Sequence, residues 1–516
     1  MKEINSFNDI SLNDLNAIVL HGESLKISDE SVKHVEASHN FLCKFAKEKV
    51  IYGVNTGFGP MAQYKIEECD QISLQYNLIR SHSAGAGDKL DDVSVKSSML
   101  VRLCAILKGY SGIHPSTIEL LKELINKDIY PFIPKHGGVG ASGDLVQLSH
   151  LALALIGEGM VTYKGELRQT EDVFKELGLK PIEIKSREGL SLINGTSVMT
   201  GIGAINIIKS KQLLGWSVCA SSLLNEIVGA FDDSFSKELN GVKKHRGQQL
   251  IAERMTQILS TSQSILRRED YFYSHSKDHE TIEFSKKVQE YYSLRCVPQI
   301  LGPIYDTIVN AEEVIVNEVN SVSDNPIIDH VKENVFHGGN FHGDYISLEM
   351  DKLKMAVTKM SMLSERQLAF LFNPKLNGIL PPFVNLGRLG LNMGMQGVQF
   401  TATSTVAENQ MLSNSMYVHS ITTNNDNQDI VSMGTNSALA AKTVIDNAYQ
   451  VQAIEMIALL QAVDYLKVAD KLSDHTLKVY KQLRAMVPVF IEDTPKYEEI
   501  RKIGEFLYNN EFEFPI

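Results

Sequence analysis

LAAKTVIDNAYQVQAIEMIALLQAVDYLKV, residues 439–468, carries apolar side chains at three- and four-residue spacing and holds neither Gly nor Pro. That periodicity predicts an amphipathic helix, which at 1.5 Å per residue would be roughly 45 Å long. Residues 343–372 and 203–230 show the same pattern, and 144–157 (DLVQLSHLALALIG) opens with Asp144, a residue suited to cap a helix start. Long helices with apolar faces must pack side by side, so the expected fold is mainly α, a long central helical bundle with few short strands. The strand candidates are 160–163 and 181–185, flanking the turn-rich segment YKGELRQ. Glycine-rich blocks at 53–59, 84–87 and 137–143 all fall in the first third, and two polar stretches, 322–343 and 412–430, interrupt the helical remainder. The expected organisation is an N-terminal domain over 1–200 and a helical bundle domain with C-terminal helices over 201–516. Irregular polar segments held by rigid helices are where function concentrates.

Composition narrows the function classes. An apolar fraction of 43% and a charged fraction of 22% are those of an ordinary globular protein, and 516 residues suffice for a large buried core. The formal net charge of −12, with both signs interspersed, argues against nucleic-acid and anionic-membrane partners, which need clustered basic residues. Five cysteines (Cys43, Cys69, Cys104, Cys219, Cys296) without CxxC spacing argue against a disulfide framework or a zinc ribbon. The start, MKEINSFNDI, lacks the apolar core of a secretory signal. No run of about 18 uninterrupted apolar residues offers a membrane span, and no fixed-period repeat appears. The expected location is cytoplasmic.

The chemistry-bearing feature is HGGVGASGDLVQLSHLAL, residues 136–153. Residues 138–143 satisfy the GxGxxG pattern of dinucleotide sites, yet Pro131 and Pro134 precede it where that motif needs a central strand. A hydrolase elbow, GxSxG, fails because Asp144 stands at the last glycine position. Two readings remain from the residues themselves: a turn capping the helix at Asp144, or a backbone cyclisation. In the second, small Ala141 and Gly143 flank Ser142, so the amide nitrogen of Gly143 can approach the carbonyl carbon of Ala141. Ring closure and loss of water from Ser142 would leave a methylidene on an imidazolone. That is an electrophile of a kind no side chain supplies.

GGVGASGDLVQLSHLAL resembles the hallmark of the histidine and aromatic amino-acid ammonia-lyase family. The likeness continues through YGVNTGFGP (52–60), NLIRSHSAG (77–85), LINGTS (192–197), YYSLRCVPQ (291–299), SDNP (323–326), GGNFHG (338–343) and NNDNQDIVSMG (424–434). Within the family the nearest likeness is to the tyrosine ammonia-lyases of flavobacteria. The resemblance implies a 4-methylidene-imidazol-5-one (MIO) cofactor made from Ala141, Ser142 and Gly143 in the N-terminal domain, and no metal. It implies Tyr52 as the base that takes the substrate's β-proton. A free tyrosine titrates near 10, so such a base needs donors beside it. Asn194 and Tyr292 match residues at the prosthetic group and substrate amine, and Arg295 and Asn325 match those that grip the carboxylate, a task suited to a bidentate guanidinium. Phe341 and Gln289 match positions close to the cofactor, and Gly59, Asn424 and Asn427 belong to blocks lining the substrate site. The histidines at 136, 150, 337 and 342 form no HExxH pattern and read as structural.

Two positions bear on the substrate. Ser81-His82 resembles the Ser-His pair of histidine ammonia-lyases, whereas Gln428 stands where those enzymes carry a Glu for the imidazole and where tyrosine and phenylalanine lyases carry Gln. A buried carboxylate beside an uncharged ring is costly; Gln428 is neutral, and His82 can donate to or accept from a phenol hydroxyl. The expected reaction is L-tyrosine to 4-coumarate, with urocanate from histidine as the alternative. An aminomutase would use the same group but return the ammonia, and an oxidoreductase with a nucleotide at 138–143 is the reading from a different class. The family implies a homotetramer with each site assembled from three subunits, the 424–430 loop and YYSLRC being expected from chains other than the one supplying Ser142.

Overall fold

In the computed structural model residues 439–466 of that stretch lie in a helix spanning Gly434–Leu466, extended at its start by residues before the periodic run. The structure describes residues 1–47, 49–273, 284 and 287–513. The other two long segments form Ser197–Val228 and Asp344–Phe372, with Val297–Val319 and Gln396–Leu412 adding to them. The chain is 60% helical with a few short strands, the fold class its periodicity predicts. Burial explains why these helices form. Every position from Val451 to Val463 is buried, as in a helix surrounded by others rather than one lying on a surface. The Ser197–Val228 helix stops where Gly229 takes φ +60°, a left-handed residue that ends the hydrogen-bond ladder.

The strands depart from expectation at one place. Met160–Tyr163 forms as predicted, but its antiparallel partner is Glu166–Gln169, inside the segment read as a turn, and 181–185 is not a strand. Lys164 and Gly165, at φ +52° and +82°, make the tight turn whose twist matches a hairpin. Pro181 lacks an N–H, and the amides of Ile182 and Ile184 are satisfied singly, by the Leu155 carbonyl and the Tyr76 hydroxyl. Tyr130–Pro131 sits at the edge of this three-stranded sheet, and Pro134–His136 pairs antiparallel with Ala86–Lys89. Both prolines thus occupy short or edge strands, and what precedes the 138–143 loop is an antiparallel pair, not the parallel βαβ unit of a dinucleotide site.

Two compact units divide the chain. The first comprises Met1–Ile208, Ala311–Asp351 and Ser415–Ala440, and the second Lys209–Asn310, Lys352–Asn414 and Ala441–Ile516. The chain first passes from one unit to the other at 208/209, and four further crossings follow. Among the described residues no helix is long and apolar enough to cross a membrane.

Candidate active site

The first unit holds a cavity of about 630 Å³. Four stretches of chain supply most of its lining. From the glycine-rich 52–62 loop come Tyr52, Phe58 and Gly59; from the Gln71–His82 helix, Leu74, Asn77, Leu78, Ser81 and His82; from 141–145, Ala141, Ser142 and Leu145; and from the 424–430 loop, Asn424, Asn427 and Gln428. Asn194, Asn325 and Phe341 complete the predicted residues found there.

The 138–143 loop is clamped where two long helices begin. The Val139 carbonyl accepts from Met433 N–H at 2.9 Å, and the Gly140 carbonyl accepts from Gly343 N–H and from Ser432 Oγ, each at 3.0 Å. Gly143 adopts φ +71° and bridges Gly195; a Cβ there would collide with the Gly195 carbonyl, so only glycine fits. Asp144 was expected to cap its own helix, and it does not. Its side chain instead accepts from Val198 and Met199 N–H at 2.8 and 2.9 Å and from the Thr435 hydroxyl, capping the Ser197–Val228 helix across the fold. Burial nevertheless pushes the Asp144 carboxyl up to about 6, against these donors. Gln428 Nε2 donates to Ser142 Oγ at 2.8 Å within one chain. The expectation that the 424–430 loop reaches Ser142 only from another subunit is therefore corrected. The Thr423 and Gln428 backbones pair with each other, and three left-handed residues, Asn424, Asn425 and Asp426, fold the loop tightly enough to do this.

Gly59 N–H donates to the Tyr52 hydroxyl at 3.0 Å, a donor of the kind that stabilises a phenolate. Tyr52 N–H donates to His337 Nε2 at 3.4 Å, and burial, helped by the Arg187 charge, holds that imidazole below its ordinary value. Asn194 Nδ2 donates to Asp324 Oδ1 and to the Asn325 carbonyl at 3.2 and 3.1 Å, while Arg102 Nη1 donates to the Asn194 carbonyl at 3.1 Å. Arg102 is fully enclosed, and burial lowers its guanidinium to about 10. Arg187 and Asp324 form an ion pair at 3.2 Å with almost no exposure, and Arg187 Nη2 also donates to the Pro326 carbonyl at 2.7 Å. These buried charges fix the backbone on either side of Asn325, whose Oδ1 accepts from Gly338 N–H at 2.7 Å. His82 Nδ1 lies 3.0 Å from the Leu78 carbonyl and 3.1 Å from Ser81 Oγ.

Gln289, Tyr292 and Arg295 belong to the second unit, where they line a depression of about 400 Å³. The Arg295 guanidinium lies over the Tyr292 ring at 4.6 Å and donates to the Glu290 carbonyl, and Tyr292 is 71% exposed. The second unit also holds a cavity of about 870 Å³ among the Gln396–Leu412, Gly434–Leu466 and Tyr497–Asn509 helices, lined by none of the predicted residues. Sequence reasoning missed the apolar wall formed by Phe58, Met61, Leu74, Leu78, Leu145 and Leu190. Leu74, Leu78 and Ser81 recur at helical spacing, so extending the face of Ser81 backwards would have found two of them. Of the four histidines read as structural, His337 and His342 meet the Tyr52 amide and Asp344 respectively, and His150 accepts from Gly85 N–H. Among the described residues no three His, Cys, Asp or Glu side chains stand together as a metal site.

A sequence model of the aromatic amino acid lyase family matches residues 10–485. The chain belongs to that family. The enzyme is 37% identical over 509 residues to the tyrosine 2,3-aminomutase of Chondromyces crocatus, with 98% of this chain and 96% of that protein covered. It is also 37% identical over 506 residues to the histidine ammonia-lyase of Halalkalibacterium halodurans, with 98% and 96% covered. The solved phenylalanine aminomutase of Pantoea agglomerans has the same fold, with a TM-score of 0.94 and 32% identity over 98% of this chain and 99% of that one. The family acts on small amino-acid substrates and in general depends on MIO. The oxidoreductase reading of residues 138–143 is thereby set aside.

Proposed function

We propose that the enzyme removes ammonia from L-tyrosine to give 4-coumarate, with MIO made from its own Ala141-Ser142-Gly143. The observation that carries this reading is the pairing of a neutral Gln428 on Ser142 with His82 on the wall of the same cavity. The segment fits the group: its outer glycine is held left-handed against Gly195, the Val139 and Gly140 carbonyls before it are clamped by the starts of two helices, and Asp144 N–H after it donates to the Gly195 carbonyl at 2.8 Å. When formed, MIO supplies an electrophile that makes the substrate's amine a better leaving group.

Side chains of the enzyme do the rest. Tyr52 takes the β-proton, with Gly59 N–H donating to the oxygen on which charge develops. Asn325 and Arg295 hold the carboxylate, and Asn194 and Tyr292 lie by the amine. The Leu78 carbonyl can only accept, so His82 Nδ1 carries the proton and Nε2 offers its lone pair. A phenol O–H donates to that lone pair, and phenylalanine has no such donor. An imidazole N–H would also satisfy His82, so discrimination against histidine rests on Gln428, which offers no charge to an imidazole. Phe341 and the apolar wall enclose the ring. Because Tyr292 and Arg295 form an exposed aromatic–guanidinium pair and the family is typically oligomeric, we place Gln289, Tyr292 and Arg295 in the site of a neighbouring copy within a homotetramer. The proposed location is cytoplasmic.

One observation favours a second reading: three relatives at 37–38% identity are tyrosine 2,3-aminomutases. On that reading Tyr52 takes the β-proton as before, the ammonia is returned to the β-carbon, and the proton goes back to the α-carbon. Incubation with L-tyrosine, L-histidine and L-phenylalanine, followed in the ultraviolet and by chromatography, separates the cases. The expected result is 4-coumarate from tyrosine alone. β-Tyrosine as the main product selects the mutase, and urocanate from histidine overturns the substrate assignment.

A further inference from the structure

A second group of titratable and nucleophilic side chains stands on the Asp29–Phe45 helix, outside the cavity lining. Cys43 and His39 are one helical turn apart, and Cys43 Sγ lies 3.6 Å from His39 Nε2. His39 Nδ1 lies 3.0 Å from the Gly112 carbonyl oxygen. That carbonyl can only accept, so Nδ1 carries the proton and Nε2 turns its lone pair to the sulfur. The tautomer that can take the thiol proton is thus fixed by the backbone. After transfer, the imidazolium donates on both sides, to Gly112 and to the thiolate.

We propose that Cys43, paired with His39, is a thiol-modification site that reacts with small disulfides and soft electrophiles. The inference is independent of the substrate assigned to the enzyme. The surroundings agree with it. The imidazole holds the Cys43 thiol below its usual value, and the thiol in turn holds His39 above its own. Burial and, more weakly, Glu188 oppose the fall at sulfur, Lys47 adds to it, and His114 stands edge-on to His39 with ring centroids 5.2 Å apart. Cys43 is exposed, so a reagent can reach it, whereas Cys104 and Cys219 are buried and burial pushes both thiols up, Cys104 to about 12. In the step itself, His39 takes the proton from Cys43 and the thiolate attacks one sulfur of a disulfide. A new S–S bond forms, the old one breaks, and the departing sulfur leaves as a thiolate that recovers the proton.

The test treats the full-length enzyme with oxidised glutathione at pH 7, stops the reaction at intervals, and reads each cysteine by peptide mass spectrometry. Exposed Cys69 is the internal reference. Exchange gains less than the thiolate fraction does, because a weaker base is also a weaker nucleophile. The expected result is a mixed disulfide that forms faster at Cys43 than at Cys69, with one glutathione thiol released per adduct. Replacing His39→Gln should bring the two rates together and leave Cys69 unchanged. Equal or slower reaction at Cys43 in the native chain overturns the proposal without any variant, and so does an unchanged Cys43 rate in folded His39→Gln protein.

Discussion

Ser142 Oγ accepts from Gln428 at 2.8 Å, so one side chain touches the segment we propose to cyclise and, on the same proposal, reads the substrate ring. At this scale two substitutions separate chemistry from selectivity. Ser142→Ala removes the oxygen that dehydration needs, and 4-coumarate formation should fall to the background rate; full activity would end the cofactor assignment. Gln428→Glu keeps the shape and adds a charge, which suits an imidazole N–H and not a phenol. The ratio of histidine to tyrosine turnover should rise, and an unaltered ratio would show that Gln428 does not select the ring. Tyr52→Phe should cost about 10²- to 10⁴-fold in kcat, the range for loss of a general base, with the circular dichroism spectrum unchanged.

Among elements, the 52–62 and 424–430 loops depend on each other. Gly59 holds φ +53°, and a Cβ on it would stand 2.6 Å from Asn424 Nδ2. Gly59→Ala would add left-handed strain of about 1–2 kcal/mol and push the two loops apart. If the strain is relieved by moving Tyr52, kcat/KM should drop about tenfold while Tm holds, since 1.36 kcal/mol is a factor of ten in rate. A variant as active as the parent would show that the loops are not coupled. The long helices were legible because 439–468 and 343–372 repeat their apolar side chains over many turns, and local pattern suffices for that. Tyr52, Ser142 and Gln428 were legible only through resemblance, since no spacing rule places residues 52, 142 and 428 on one cavity. The misread places are those where a distant partner decides. Asp144 looks like the cap of the helix that follows it, yet its hydrogen bonds go to a helix starting 53 residues later, at Ser197. Lys164-Gly165 lacks the Asn or Asp that marks a hairpin, so Glu166–Gln169 passed for a turn.

Across the whole molecule, stability should carry the mark of a fully buried carboxyl. Glu455 lies in the fully buried run of the Gly434–Leu466 helix, accepts from Gln452 Nε2 at 2.9 Å, and is pushed up to about 8 by burial. A carboxyl with a raised value in the folded state contributes most below its unfolded value of 4.5 and loses that contribution as pH climbs to about 8. Tm should therefore decline across that window, and Glu455→Gln should flatten the decline; an equally steep curve in the variant would assign the pH dependence elsewhere. The first unit is drawn from three separate stretches of chain, and this has a consequence for synthesis. A ribosome delivers Ala141-Ser142-Gly143 long before Gly343, Gln428, Ser432, Met433 and Thr435, the residues that clamp the segment and its flanks. A nascent chain cannot assemble that clamp until more than four-fifths of its length has been translated. If the segment cyclises as we propose, its maturation belongs after the last long helix has begun to emerge, and a chain released earlier would carry the Ala-Ser-Gly sequence without the means to shape it.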